Sequence, residues 1–425
     1  MESRSLPPRP NLQQYKKQAK ELLKACSSGH PDDIHLWAER WFETNAEQTH
    51  REQMDHIEKR VRASKLLKPD PTLADAQFFV AREHGFENWP KFVKQIQALH
   101  REDSLEATFE AAASAIASGD IQTLRRLLRT QPELIHARSQ RLHNSTLLHY
   151  VAANGIEDFR QKTPSNIVEI TNLLLAAGAE VDAESNAYGG GCTALGLVAT
   201  SVHPERAGVQ EALLQILLDH GALIDKPGAA GNRQTAVQGC LANGRGQAAR
   251  FLASHGARLT LETAAGTGQL AIVKAFFQED GALKSTATRE ELQRGFLWAC
   301  MYGYHQVVRF LLDHGADLRD QANTGATGLH WAAAGAHLTS VQLSIQRGAP
   351  LEEINQWGGT VLEQAGWGFA NDDSDRDYVP VFEALLAAGA KVQDGWLAWL
   401  ERQSAPPALS KARIAELLRR YGAVA

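Results

Sequence analysis

Sixteen histidines and four cysteines give this 425-residue chain ample material for metal or acid–base chemistry, so spacing has to decide whether any of it is used. Cys26, Cys192, Cys240 and Cys300 lie far apart, without the paired spacing of a zinc site or a redox couple. They read as small buried apolar residues. No HExxH, nucleophile-elbow or Walker A pattern occurs. The run "NDDSDRDY" (371–378) puts Asp373, Asp375 and Asp377 at alternate positions, as a calcium loop would. It then has Tyr378 where the sharp turn needs glycine and Ala384 where a bidentate glutamate should close the loop, which predicts a solvated acidic loop. "YGGGC" (188–192) shares only its glycines with a phosphate loop and reads as a hairpin tip. The sequence therefore predicts no catalytic residue, no metal and no cofactor.

Two constellations remain. Arg160 and Lys162, with Thr163, lie in one polar stretch, and His203 and Arg206 lie in another. Brought together, they would suit an anion or an acidic peptide segment. The competing reading is an ordinary solvated pair of loops, balanced by Glu157, Asp158 and Glu205. The second constellation is a set of residues expected on an open surface: Trp357, Trp367, Tyr302, Met301, Tyr188, Asn323, Arg141 and His143. Exposed aromatics are the side chains that anchor protein interfaces.

Both constellations depend on the elements that position them, and these come from a recurrence. "ITNLLLAAGAEV" (170–181), "LLQILLDHGALI" (213–224), "AARFLASHGARL" (248–259), "VVRFLLDHGADL" (307–318), "VFEALLAAGAKV" (381–392) and "IAELLRRYGAVA" (414–425) are variants of one phrase. Each is an amphipathic helix end followed by Gly-Ala, with the glycine where a helix needs a left-handed residue to stop. Gly178, Gly221, Gly256, Gly281, Gly315, Gly348, Gly389 and Gly422 are the expected stops, and most of their intervals lie near the roughly 33-residue period of the ankyrin repeat. A second half-motif recurs as "TLLHYVAANG" (146–155), "TALGLVATS" (193–201), "TAVQGCLANG" (235–244), "TGLHWAAAGAH" (327–337) and "TVLEQAGWG" (360–368). There Thr146, Thr193, Thr235, Thr327 and Thr360 should cap inner helices. His149 and His330 occupy the motif histidine, expected to bond within the turn between repeats.

Residues 106–425 thus predict an all-α solenoid of about eight or nine degenerate ankyrin-type repeats with short β-hairpin turns. The short interval before Gly281 predicts helix–turn–helix without a preceding hairpin. The long intervals place insertions at 155–166, 201–209 and 370–380, each between an inner and an outer helix.

Residues 1–105 lack this register. "NLQQYKKQAKELLKAC" (11–26) places Leu12, Tyr15, Ala19, Leu22, Leu23 and Cys26 on one helical face. "LADAQFFVAREHGFENWPKFVKQI" (73–96) encodes two helices, one ending at Gly85 and the next capped by Asn88 with Pro90 near its start. Residues 45–68 read as irregular or as a solvated helix. These two stretches followed by repeats resemble a group of bacterial ankyrin-repeat proteins with an N-terminal helical module. The resemblance implies binding of another protein and supplies no catalytic residues.

The net charge of −5 provides no basic footprint for phosphate neutralisation, which argues against a nucleic-acid partner. No long apolar run and no signal-peptide pattern occur, so a cytoplasmic protein without a membrane partner is expected, as a monomer. The leading expectation is a non-enzymatic scaffold that binds a partner protein on its concave face. The alternative is an enzyme or ligand sensor built on the insertion loops of residues 155–209.

Overall fold

The computed structural model describes residues 4–7, 9–43, 50–68, 70–101, 103–226, 234–321, 324–372, 376–403 and 408–423. Asn323, Asp373 and Asp375 lie outside these. The chain divides into two compact units, residues 1–236 and 237–425. It is all-α: among the described residues only two isolated antiparallel bridges occur, Ser185 with Cys192 and Phe277 with Leu283. No described helix is long and apolar enough to cross a membrane.

The first unit opens with helices Leu12–Ser27, Pro31–Glu43, His50–Ala63, Leu73–Glu83 and Trp89–Leu99. Their apolar faces meet in a core containing Tyr15, Leu22, Trp37, Trp41, Phe86 and Phe92. The capping chemistry follows the sequence. Asn11 accepts from the Gln13 amide, Asn88 accepts from the Lys91 amide with Pro90 in the first turn, and Gly85 turns with φ +80°. The stretch His50–Ala63 is less solvated than its polarity suggests, because Ile57 and Val61, one turn apart, are both buried. His84 lies inside this core, stacked on Phe92 with ring centroids 5.1 Å apart, and burial pushes its imidazole down to about 3. A neutral ring is what such a core accepts.

Helix pairs follow: Leu105–Ser118 with Ile121–Thr130, the 3-10 segment Leu147–Ala152 with Ile167–Ala176, and Ala194–Thr200 with Gln210–Asp219. The second unit contains Leu261–Gly266 with Leu270–Ala275, Arg289–Met301 with His305–Asp313, Gly328–Ala334 with Leu338–Gln346, and Val361–Asn371 with Val379–Ala387. It closes on Trp396–Arg402 and Ala408–Arg420. Alanines such as Ala264, Ala265, Ala299, Ala332, Ala333 and Ala365 are fully buried, which lets inner helices approach closely.

The Gly-Ala stops are real, with one exception. All eight glycines have positive φ, and seven follow directly on a helix and its cap. Gly281 instead lies in the turn between bridged Phe277 and Leu283, because the helix Leu270–Ala275 has already ended. At Gly389, φ is +99° and an added Cβ would meet nothing within 4 Å, so only backbone strain opposes a side chain there. Gly389→Ala should therefore lower stability by about 1 kcal/mol or more. Urea unfolding checks this, and an unchanged midpoint would mean that the left-handed turn is not needed.

His149 and His330 perform the same task twice. In each, Nδ1 accepts from the backbone N–H of the capping threonine, Thr146 or Thr327, at 3.1 Å. The opposite nitrogen, Nε2, donates to a carbonyl of the following turn, Cys192 or Glu353, again at 3.1 Å. One neutral tautomer satisfies both bonds, and burial favours it, pushing His149 down to about 4. His220, His255 and His314 each donate from Nδ1 to the carbonyl four residues earlier, at the last turn before the stop.

Candidate functional site

Three of the six residues expected to carry charge chemistry on the surface are buried inside the first unit. Arg160 was expected in a solvated loop, and Arg141 and His143 at an exposed tip; all three are buried. The 3-10 turn Asp158–Arg160 points Arg160 at the helix Leu105–Ser118, where Nη2 lies 2.8 Å from Glu110 Oε2 and donates to Ser114 Oγ at 3.0 Å. Its Nη1 donates to Glu157 Oε1 at 3.1 Å.

Arg141 approaches the same two carboxylates. Its Nη2 lies 3.3 Å from Glu110 Oε2. Its Nε lies 2.6 Å from Glu157 Oε1 but is misaligned for a hydrogen bond, so this contact is ionic. Tyr150 donates its hydroxyl to Glu157 at 3.2 Å, and the His143 ring stands 3.5 Å from the same oxygen. Burial alone would raise both glutamates. The guanidiniums of Arg141 and Arg160 outweigh it, and both carboxyls titrate below their ordinary range. Two arginines and two glutamates close a neutral cluster that presents little charge to an incoming anion.

The rest of the expected anion set does not join them. Lys162 and Arg206 are exposed and His203 is half-buried, its imidazole lowered by burial and by Arg206. Arg206 and His203 share the short helix Val202–Arg206.

Among the expected partner residues, Tyr302 and Met301 are half-buried at the end of Arg289–Met301. The Tyr302 hydroxyl donates to the Leu241 carbonyl at 2.6 Å, and its ring packs where Gly246 has no side chain. Tyr302 is thus a packing residue. Tyr188 is 71% exposed, though its hydroxyl donates to Asn154 at 2.6 Å.

Trp357 and Trp367 stand as expected, 64% and 57% exposed. They line a groove of about 550 Å³ together with Trp396 and Trp399. Trp357 is held out by a compact turn in which Asn355 Oδ1 accepts from the Trp357 and Gly359 amides. Trp367 projects from the helix Val361–Asn371, between two glycines with opposite tasks. An added Cβ at Gly366 would lie 2.6 Å from Trp396, and one at Gly368 would lie 2.3 Å from the Ala334 carbonyl oxygen. The "GWG" triplet (366–368) therefore seats one indole, presents another and admits the preceding helix.

Trp396 and Trp399 were missed in the sequence because the stretch between Gly389 and Gly422 lacks the threonine half-motif that marks an inner helix elsewhere. Their three-residue spacing in "GWLAWLER" (395–402) was the available signal, since it puts both on one helical face. Their rings meet at 74° with centroids 5.1 Å apart. Glu363, Asp394 and Arg402 are the charged residues on the groove wall. Among the described residues no cluster of three or more histidine, cysteine, aspartate or glutamate side chains gathers to hold a metal. Burial pushes the thiols of Cys26 and Cys240 up, to about 11 and about 12.

Comparison with known proteins bears on the repeats. No curated protein matches the chain. A crystal structure of an ankyrin repeat domain from Acinetobacter baumannii AYE is 22% identical, covering 54% of this chain and 98% of that one, with a TM-score of 0.28. The family model for ankyrin repeats matches residues 261–356 in three copies. The helix pairs across residues 261–356 are thus ankyrin repeats.

Proposed function

We propose that this chain is a non-catalytic scaffold in the cytoplasm that holds a partner protein through the tryptophan groove of its second unit. The observation that carries the reading is the pair Trp357 and Trp367, two large indoles kept more than half exposed by dedicated local structure. Exposed tryptophan beside a concave, partly apolar wall is the composition of an interface anchor. Ankyrin repeats generally mediate protein–protein interaction, which agrees with it. The alternative, a ligand site on the insertion loops of residues 155–209, loses its central cation, because Arg160 faces Glu110 and Glu157.

The test is a pull-down from the native cell on the immobilised full chain, followed by titration with the purified partner. Trp357→Ala and Trp367→Ala should each weaken binding by about 1–3 kcal/mol with unchanged circular dichroism. Lys162→Ala with Arg206→Ala should leave it as it was. Normal binding by the tryptophan variants, with binding abolished in the lysine–arginine variant, would move the interface to the loops.

A further inference from the structure

Four tryptophans around one groove ask for an occupant with more than apolar surface. Trp396 and Trp399 stand nearly perpendicular and form a corner, and the groove is also bordered by Gly358 and Gly395, where an added Cβ would meet nothing within 4 Å. The opening is therefore unobstructed at those two points. Indole carries the most negative face of the aromatic side chains, and a face turned toward a cavity attracts a cation placed over it. The charged wall has the matching sign: Glu363 and Asp394 supply two carboxylates against the single guanidinium of Arg402. Glu363 is held in place, because one of its oxygens accepts from the Thr360 amide at 2.7 Å. Asp394 is exposed beside Gly395, where an incoming cation can approach it.

We infer that the groove receives an arginine or lysine side chain presented by an exposed peptide segment of the partner protein. This rests on the scaffold reading above and specifies which chemistry that partner shows to the groove. The cation would lie against the exposed indoles of Trp357 and Trp367, with Asp394 balancing its charge from the rim. A neutral apolar side chain would gain the burial without the charge, and an acidic one would meet two carboxylates.

The experiment titrates the full chain with acetylated, amidated pentapeptides Gly-Gly-X-Gly-Gly, with X as arginine, lysine, glutamine, norleucine or glutamate, following tryptophan emission and calorimetric heat. Arginine and lysine probes should bind about two- to five-fold more tightly than norleucine, the difference shrinking as salt is raised. Asp394→Asn should remove most of that preference while leaving the norleucine probe unaffected. Trp367→Leu, at an exposed position, should weaken the arginine probe with the fold intact. Equal binding of arginine and norleucine, a preference for glutamate, or an arginine preference untouched by Asp394→Asn would each overturn the cation assignment. If no probe binds while partner capture still depends on Trp357 and Trp367, the cation assignment falls and the scaffold reading stands. If neither probes nor partner depend on these tryptophans, both fall.

Discussion

Arg160→Ala should destabilise the first unit by about 3–5 kcal/mol, the cost of breaking a desolvated ion pair from one side. The guanidinium bonds Glu110, Glu157 and Ser114, and its removal leaves two carboxylates to share Arg141 alone. Lys162→Ala and Arg206→Ala, at exposed positions, should stay within about 0.5 kcal/mol of the parent. Acid should reproduce the effect. Glu110 and Glu157 titrate below their unfolded value of 4.5, so below that pH the unfolded chain binds protons that the folded one still excludes. Their contribution is complete above that value and declines as pH falls through the depressed folded range. Urea denaturation across pH 7 to 3 measures both. An Arg160→Ala loss below about 1 kcal/mol would show that water compensates the orphaned carboxylates.

Gly368→Ala should cost about 1–3 kcal/mol through overpacking. The new Cβ would lie 2.3 Å from the Ala334 carbonyl oxygen and 3.0 Å from the same residue's Cα, and backbone has no rotamer by which to yield. The helices Gly328–Ala334 and Val361–Asn371 would have to separate. Gly366→Ala is the comparison: its obstacle is the tip of the Trp396 ring, which can tilt, so its smaller stability loss should come with a change in tryptophan emission. Thermal unfolding of both variants distinguishes these cases, and a parental melting temperature for Gly368→Ala would mean that the helix contact is looser than 2.3 Å implies.

Much of the fold could be read from local chemistry. Seven of the eight Gly-Ala stops, the caps Thr146, Thr193, Thr327 and Thr360, and the two motif histidines depend on neighbours within a few residues, and they appear where the sequence places them. The candidate site was legible only in half. Trp357 and Trp367 follow from repeat register, because a turn residue and an outward helix position are exposed wherever the register holds. Arg141, His143 and Arg160 do not follow from it. A charged residue in an insertion reads as solvated unless its counter-ion is known, and Glu110 lies dozens of positions earlier in another helix pair. The half-burial of Tyr302 was hidden for a similar reason: the space it fills exists because Gly246 has no side chain.

The contacts of Arg141 reach beyond charge balance. One of its Nη atoms donates to the His84 carbonyl, and the next residue, Leu142, donates its amide to the Gly85 carbonyl at 2.8 Å. Both acceptors belong to the turn that ends the helix Leu73–Glu83. The opening helices thus take the position that a specialised end unit takes in an array, covering a face that would otherwise be wet. For anyone dividing this protein into fragments, residue 105 is a poor place to cut. A chain starting there keeps both arginines and both glutamates while losing the carbonyls that anchor one guanidinium, and a chain ending there exposes the same carbonyls to water.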